Sequence, residues 1–176
     1  NTPPPIIQQN VLGLSAGTYS VTVTDINNCS ATDLFVLTEP PTISISFDSS
    51  YYNGYNISCN GGNDGNIIAS YSGGVGINPT SLVWSTVQNT PTISNLSAGT
   101  YILTVNDSNG CVGTNSITLT EPPVITLSTN SIPTSCFDSL DGTALVTVIG
   151  GVSPYQYSWN DPWNQNTPTA TGLPDG

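Results

Sequence analysis

The sequence predicts an all-β protein made of tandem immunoglobulin-like β-sandwich repeats of about 80 residues, and three observations carry that prediction. The string Leu14-Ser15-Ala16-Gly17-Thr18-Tyr19 returns unchanged as Leu96 to Tyr101. Cys29 returns as Cys111 and Glu39-Pro40-Pro41 as Glu121-Pro122-Pro123, each 82 positions on. A constant offset held by three separate markers defines a repeated unit. The segments between turns alternate polar and apolar side chains with a period of two and are rich in Val, Ile and Thr. No helical periodicity interrupts them.

A second set of markers runs to the end of the chain. Ser58-Cys59, Gly65, Gly73-Gly74-Val75 and Leu96 to Gly99 correspond to Ser135-Cys136, Gly142, Gly150-Gly151-Val152 and Leu173 to Gly176, 77 positions on. Most of the shortening lies before the cysteine, where Asp48 to Tyr55 is longer than its counterpart Asn130 to Pro133. The organisation expected is the C-terminal part of a first repeat (1–41), a complete middle repeat (42–123) and the N-terminal part of a third (124–176). On this reading the 176 residues are a window on a longer protein.

Taken in order, Thr18 to Thr24 reads as a strand with Tyr19, Val21 and Val23 on one face. The turn residues Asp25 to Asn28 follow, then a second alternating run, Leu34 to Thr38. Thr42 to Phe47, Asn66 to Ser72, Ser81 to Ser85 and Thr92 to Asn95 supply the front strands of the middle repeat. Thr100 to Val105 and Ser116 to Thr120 copy the first hairpin around Asp107-Ser108-Asn109-Gly110. Trp84 is expected in the core against Tyr101, the alternative being a ring exposed for sugar stacking. Consecutive prolines lack amide donors and favour an extended backbone, so Glu-Pro-Pro ends each repeat and passes stiffly into the next.

The chain has no Lys, Arg, His or Met and a formal net charge of −11. It cannot neutralise phosphates, which disfavours nucleic acid as a partner, and an anionic membrane surface is disfavoured for the same reason. No apolar run is long enough to span a bilayer as a helix. Gly, Pro, Ser and Asn are abundant and the hydrophobic fraction is only 36%, so disorder is the competing reading. The periodicity of the apolar residues argues against it. Absence of trypsin-type cleavage sites suits exposure outside the cell, although a drift in composition toward Asn, Thr and Ser explains it equally.

Several motifs in fixed order, L-S-A-G-T-Y, D-x-N-x-C, T-E-P-P, S-C-N-G-G-N-D-G, S-G-G and V-W-S, resemble the repeats of SprB-type cell-surface adhesins of gliding Bacteroidota. The resemblance covers essentially the whole sequence. It implies very large filamentous proteins, exported by the type 9 secretion system and, in the gliding case, moved along the cell surface to generate traction. Expected partners are thus neighbouring repeats of the same chain, the secretion and gliding machinery, and surface glycans. The third copy departs from the pattern at Cys136-Phe137-Asp138-Ser139-Leu140-Asp141-Gly142.

Candidate sites are few. Two cysteine positions per repeat suggest an oxidised framework in a secreted chain, and the pair available within the middle repeat is Cys59 with Cys111. In an immunoglobulin-like sandwich those two loops lie at opposite ends, so pairing between neighbouring repeats and free thiols are the rivals. Asn60, Asn63 and Asp64 in a Gly-rich loop offer oxygen ligands for Ca²⁺, with Glu39 or Asp107 completing the set, but Asx residues capping their own turns explain the same pattern. No other cofactor is expected. Four N-x-Ser strings, beginning at Asn28, Asn56, Asn95 and Asn106, arise readily by chance in so Asn-rich a chain. Asp138-Ser139-Leu140 is similar to the Asp-Ser/Thr-apolar O-glycosylation motif of that phylum, which makes Ser139 a candidate.

No His or Lys is present for a triad or Schiff base, and the carboxylates fall in turns and linkers, so an enzyme is not expected. The leading expectation is a structural repeat segment of a large secreted adhesin filament, extracellular and at the cell surface. Two alternatives stand beside it. One is a carbohydrate-binding module array using Trp163, Tyr51, Tyr52 and Tyr55, and the other a set of passenger repeats on a secreted enzyme.

Overall fold

The computed structural model describes residues 10–77 and 81–175, and among them the regular structure is β-strand without helix. An N-terminal hairpin pairs β1 (Gly17–Thr24) with β2 (Ser30–Leu37) in unbroken antiparallel register. The sequence pattern places the start of the second run at Leu34. The strand begins four residues earlier because Asp25 and Cys29 close a tight turn that aligns Thr24 with Ser30.

The central unit is a sandwich of two three-stranded sheets. One sheet has the order β3 (Ser44–Ser49), β4 (Gly65–Ser72), β6 (Thr92–Leu96), and the other β5 (Leu82–Trp84), β7 (Gly99–Asn106), β8 (Val112–Leu119). These orders correspond to A-B-E and C-F-G of an immunoglobulin-type sandwich. Alternation sends Ile67 and Ala69 of β4, and Tyr101, Leu103 and Val105 of β7, into the shared core. Trp84 is 1% exposed, and its indole donates to the Thr90 carbonyl at 2.9 Å. The aromatic ring it meets is Phe47, at 5.6 Å between centroids, where the sequence pointed to Tyr101. Tyr101 belongs to the same buried cluster, but its hydroxyl turns back to donate to the Ser97 carbonyl at 2.9 Å. That bond fixes the corner entering β7 and gives Leu-Ser-Ala-Gly-Thr-Tyr its structural meaning, since Tyr19 donates to Ser15 in the same way.

The edges of the two sheets meet along β3 and β8. Gly113 lies against Ile43, closer than any side chain at 113 would allow, and the Asn115 amide donates to the Ile45 carbonyl at 2.8 Å. The first half of β8 therefore lacks the apolar alternation that would have announced it. The two contacts advance together along both strands, so β3 and β8 run parallel.

The C-terminal part repeats the first of these sheets. Its order β9 (Thr126–Ile132), β10 (Gly142–Ile149), β11 (Thr169–Leu173) matches β3, β4, β6, and Trp159 donates to the Thr167 carbonyl as Trp84 does to Thr90.

Candidate functional site

The polar groups singled out in the sequence gather where one unit passes into the next. At the exit of the central sandwich, the Asn60 side-chain amide donates to a Glu121 carboxylate oxygen and to the Pro122 carbonyl, both at 3.0 Å. The Gly61 N–H donates to the other Glu121 oxygen at 2.8 Å. A carboxylate accepting from both a side-chain amide and a backbone N–H is held in position and direction. The loop carrying these donors is itself braced by Asp64, which accepts from the Ser58 N–H at 3.1 Å. Its carboxyl is held below the ordinary value by bonding to Ser58. The C-terminal sheet repeats that brace with Asp141 and Ser135 at 3.0 Å.

At the entry of each following unit a second clamp appears. Gly74 N–H donates to the Pro41 carbonyl and Gly151 N–H to the Pro123 carbonyl, each at 2.8 Å. The preceding Gly73 and Gly150 have φ of +84° and +82°, and a Cβ on either would strike the carbonyl of Thr42 or Val124. Only glycine tolerates both the left-handed backbone and that contact. Glu121-Pro122-Pro123 is therefore gripped from the unit it leaves and from the unit it enters.

The entry end also carries Asp107, the only buried charged residue among those described. One of its oxygens accepts from the Val75 N–H at 3.0 Å, and the other closes its own turn through Asn109 and Cys111 at 2.9 and 2.8 Å. The Val75 bond is the main cause that holds its pKa below the ordinary range, and burial works against it. Asp107 thus ties the β7–β8 turn to the glycine pair after β4.

The structure brings Asn60 and Asp64 into one loop, Asn60 bonded to the linker and Asp64 to its own turn, while Asn63 is exposed. Asp107 stands at the other end of the sandwich and the acid beside Asn60 is Glu121, not Glu39, so neither acid thought to complete a calcium set reaches this loop. Among the described residues no three His, Cys, Asp or Glu side chains cluster as metal ligands. The bridge from Cys59 to Cys111, one of the readings the sequence left open beside free thiols, is not made. All four cysteines are exposed and free. Cys59 lies in the exit loop and Cys111 at the entry turn, separated by the length of β8, roughly 25 Å for eight residues, against the 4.4–6.8 Å or so between Cα atoms that a disulfide needs. Ser139 is half-buried in the turn after Cys136, its hydroxyl 3.4 Å from that of Ser135. Tyr51 and Trp163 are exposed but belong to different units.

The role of Glu121 was not read from the sequence, although its recurrence beside the prolines was the available signal. The same loop in the C-terminal sheet has Phe137 where Asn60 stands, and Phe137 is exposed. A phenyl ring cannot donate to a carboxylate, so that clamp is specific to the first of the two loops.

Residues 128–164 match the SprB repeat family model. This segment is of the SprB-repeat type. The match runs from within β9 past Trp159 and includes Cys136 and the Gly150-Gly151 pair, of which Gly151 donates to the Pro123 carbonyl. Proteins carrying SprB repeats are cell-surface or secreted, which suggests an extracellular setting. No curated protein and no solved structure matches the chain.

Proposed function

We propose that this chain is a load-transmitting segment of a secreted cell-surface adhesin filament, serving surface attachment or gliding motility and exported by the type 9 system. The observation that carries the reading is the path of force through the central sandwich. Tension enters at the start of β3 and leaves at the end of β8, and these are parallel edge strands of opposite sheets bridged by Asn115. Pulling along them loads the β3–β4 and β7–β8 hydrogen bonds together in shear instead of opening them one at a time. The clamps at Pro41, Glu121 and Pro123 carry that load between units. Neighbouring repeats and the export and motility machinery are the partners in this reading, and no catalytic step belongs to it.

Single-molecule extension of the full chain is expected to give one cooperative unfolding event with a contour gain of roughly 23 nm, from about 76 residues of central sandwich at up to about 3.6 Å each, less its folded length. Extension without a resolved force peak would remove the mechanical reading. Antibodies raised against the central sandwich are expected to label intact producing cells, and labelling only after permeabilisation would remove the surface reading. The exposed Tyr51 and Trp163 favour glycan binding as a second function. Retention on a glycan array that disappears in a Tyr51→Ala/Trp163→Ala chain would support it.

A further inference from the structure

Three asparagines of the chain precede a glycine, Asn53, Asn60 and Asn109, and all three pairs lie in loops of the central sandwich. At such a pair no Cβ on the second residue obstructs attack by its backbone nitrogen on the asparagine side-chain carbon. The new N–C bond closes a succinimide ring and ammonia leaves. Water then opens the ring to isoaspartate or aspartate. The step needs the glycine N–H free to lose its proton, the side-chain amide free to turn, and a backbone able to bring the two together.

Two of the pairs are held. The Asn60 side-chain amide donates to Glu121 and to the Pro122 carbonyl, and the Gly61 N–H donates to the second Glu121 oxygen. At the other end of the sandwich the Gly110 N–H donates to the Asp107 carbonyl at 3.1 Å, and the Asn109 N–H to the Asp107 carboxylate, in a turn that Asp107 anchors to Val75. Attack at either pair must first break bonds that tie its loop to the rest of the structure, so it waits on a local opening.

Asn53 and Gly54 are the two-residue tip of a small hairpin between Tyr52 and Tyr55, whose backbones exchange hydrogen bonds at 2.6 and 3.1 Å. Their φ values of +50° and +99° fit a type I′ turn. Both are exposed, and apart from the adjoining residues nothing lies within 4 Å of where a Cβ on Gly54 would stand. Among the described residues neither the Gly54 N–H nor the Asn53 side chain has a hydrogen-bond partner. The base of the loop is tied separately. The Ser50 hydroxyl donates to the Asn56 carbonyl at 2.7 Å and the Asn56 amide to the Ser50 carbonyl at 3.1 Å, so the tip opens without disturbing the strands. We infer that Asn53 is a site of spontaneous deamidation, its exposed turn admitting the step that the bonds around Asn60 and Asn109 withhold. The reaction consumes one water and releases one ammonia. An aspartate product keeps the turn and adds a negative charge next to Tyr51 and Tyr52, whereas isoaspartate lengthens the backbone of the two-residue loop and breaks the Tyr52–Tyr55 register. The inference is independent of whether the chain bears load.

Ageing the folded full chain at pH 8.5 and 37 °C, then digesting it with pepsin in acid and mapping the peptides by mass spectrometry with electron-transfer fragmentation, tests it. Conversion at Asn53 is expected to run about tenfold faster or more than at Asn60 or Asn109, with isoaspartate among the products. In 8 M urea the three rates are expected to converge, because the fold no longer distinguishes them. Glu121→Ala releases both groups at the Asn60 pair and is expected to raise conversion there while Asn53 keeps its rate. Asn53→Gln is expected to remove the fast component alone. An Asn53 that converts no faster than the other two in the folded chain overturns the inference. So does a difference of the same size in urea, which would place the preference in the neighbouring residues and not in the fold, or an Asn60 that stays slow in Glu121→Ala.

Discussion

At the residue scale the structure depends on a few side chains that close several bonds at once. Asp107 is one, reaching Val75, Asn109 and Cys111 from a single carboxylate. Because its folded pKa lies below the ordinary 3.8, its contribution is fully present above that value and lost as pH falls through the depressed one. Asp64, Asp141 and Asp161 shift in the same direction, each through bonds to its own turn. No His titrates near neutrality. The melting temperature is thus expected to be level between pH 5 and about 7.5 and to fall below about pH 4, although acid also relieves the repulsion among carboxylates. That relief is small for charges so sparse and so well screened. Asp107→Asn should start lower and lose less on acidification, which thermal unfolding at both pH values would show. Trp84 is the other such residue. Trp84→Ala removes the largest buried side chain and is expected to cost about 3–5 kcal/mol in denaturant unfolding.

At the element scale the decisive object is the junction. Asn60, Gly61 and Gly151 hold Glu121 and Pro123, and removing one partner frees the linker without touching either core. Glu121→Ala is expected to lower the amide order parameters of Gly61 and Val124 while leaving those of β4 and β7 unchanged. Equal rigidity in parent and variant would mean that the prolines alone set the joint. Much of this architecture was legible beforehand. The hairpins were readable because Tyr19, Val21 and Val23 alternate against an exposed opposite face, and the glycine pair and Trp84 recur with their surroundings. The start of β8 was not, because Val112-Gly113-Thr114 is shaped by the approach of Ile43, a contact between distant segments that no local pattern encodes. The junction was half legible: Asn60 and Asp64 stood out as oxygen-bearing residues of one loop, but only the fold shows that Asn60 donates to a residue 61 positions away while Asp64 stays in its own turn. The cysteines read both ways: their count suggests a pair, but the predicted sandwich already sets the two loops at opposite ends, where the structure has Cys59 and Cys111, so non-reducing mass spectrometry is expected to find no Cys59–Cys111 peptide.

At the scale of the whole molecule the absence of cationic side chains governs the response to ions. In most proteins added salt weakens attractive ion pairs as well as repulsions, so its effect on stability has no fixed sign. Here no pair of opposite side-chain charges exists, and eleven like charges are distributed along the chain. Screening therefore acts almost wholly on repulsion. Raising NaCl from 20 to 500 mM at pH 7 shortens the screening length from about 20 Å to about 4 Å, and the melting temperature is expected to rise monotonically. A fall would show that charge–dipole contacts such as Glu121 with Gly61 outweigh the repulsion. The same titration decides the calcium reading of Asn60, Asn63 and Asp64. CaCl₂ at matched ionic strength should stabilise no more than NaCl if Asn60 serves the linker and Asp64 its own turn, as their bonds indicate. An additional rise that disappears in Asp64→Ala would instead assign the loop a bound ion, which would have to displace the Ser58 and Glu121 contacts and so loosen the junction as it bound.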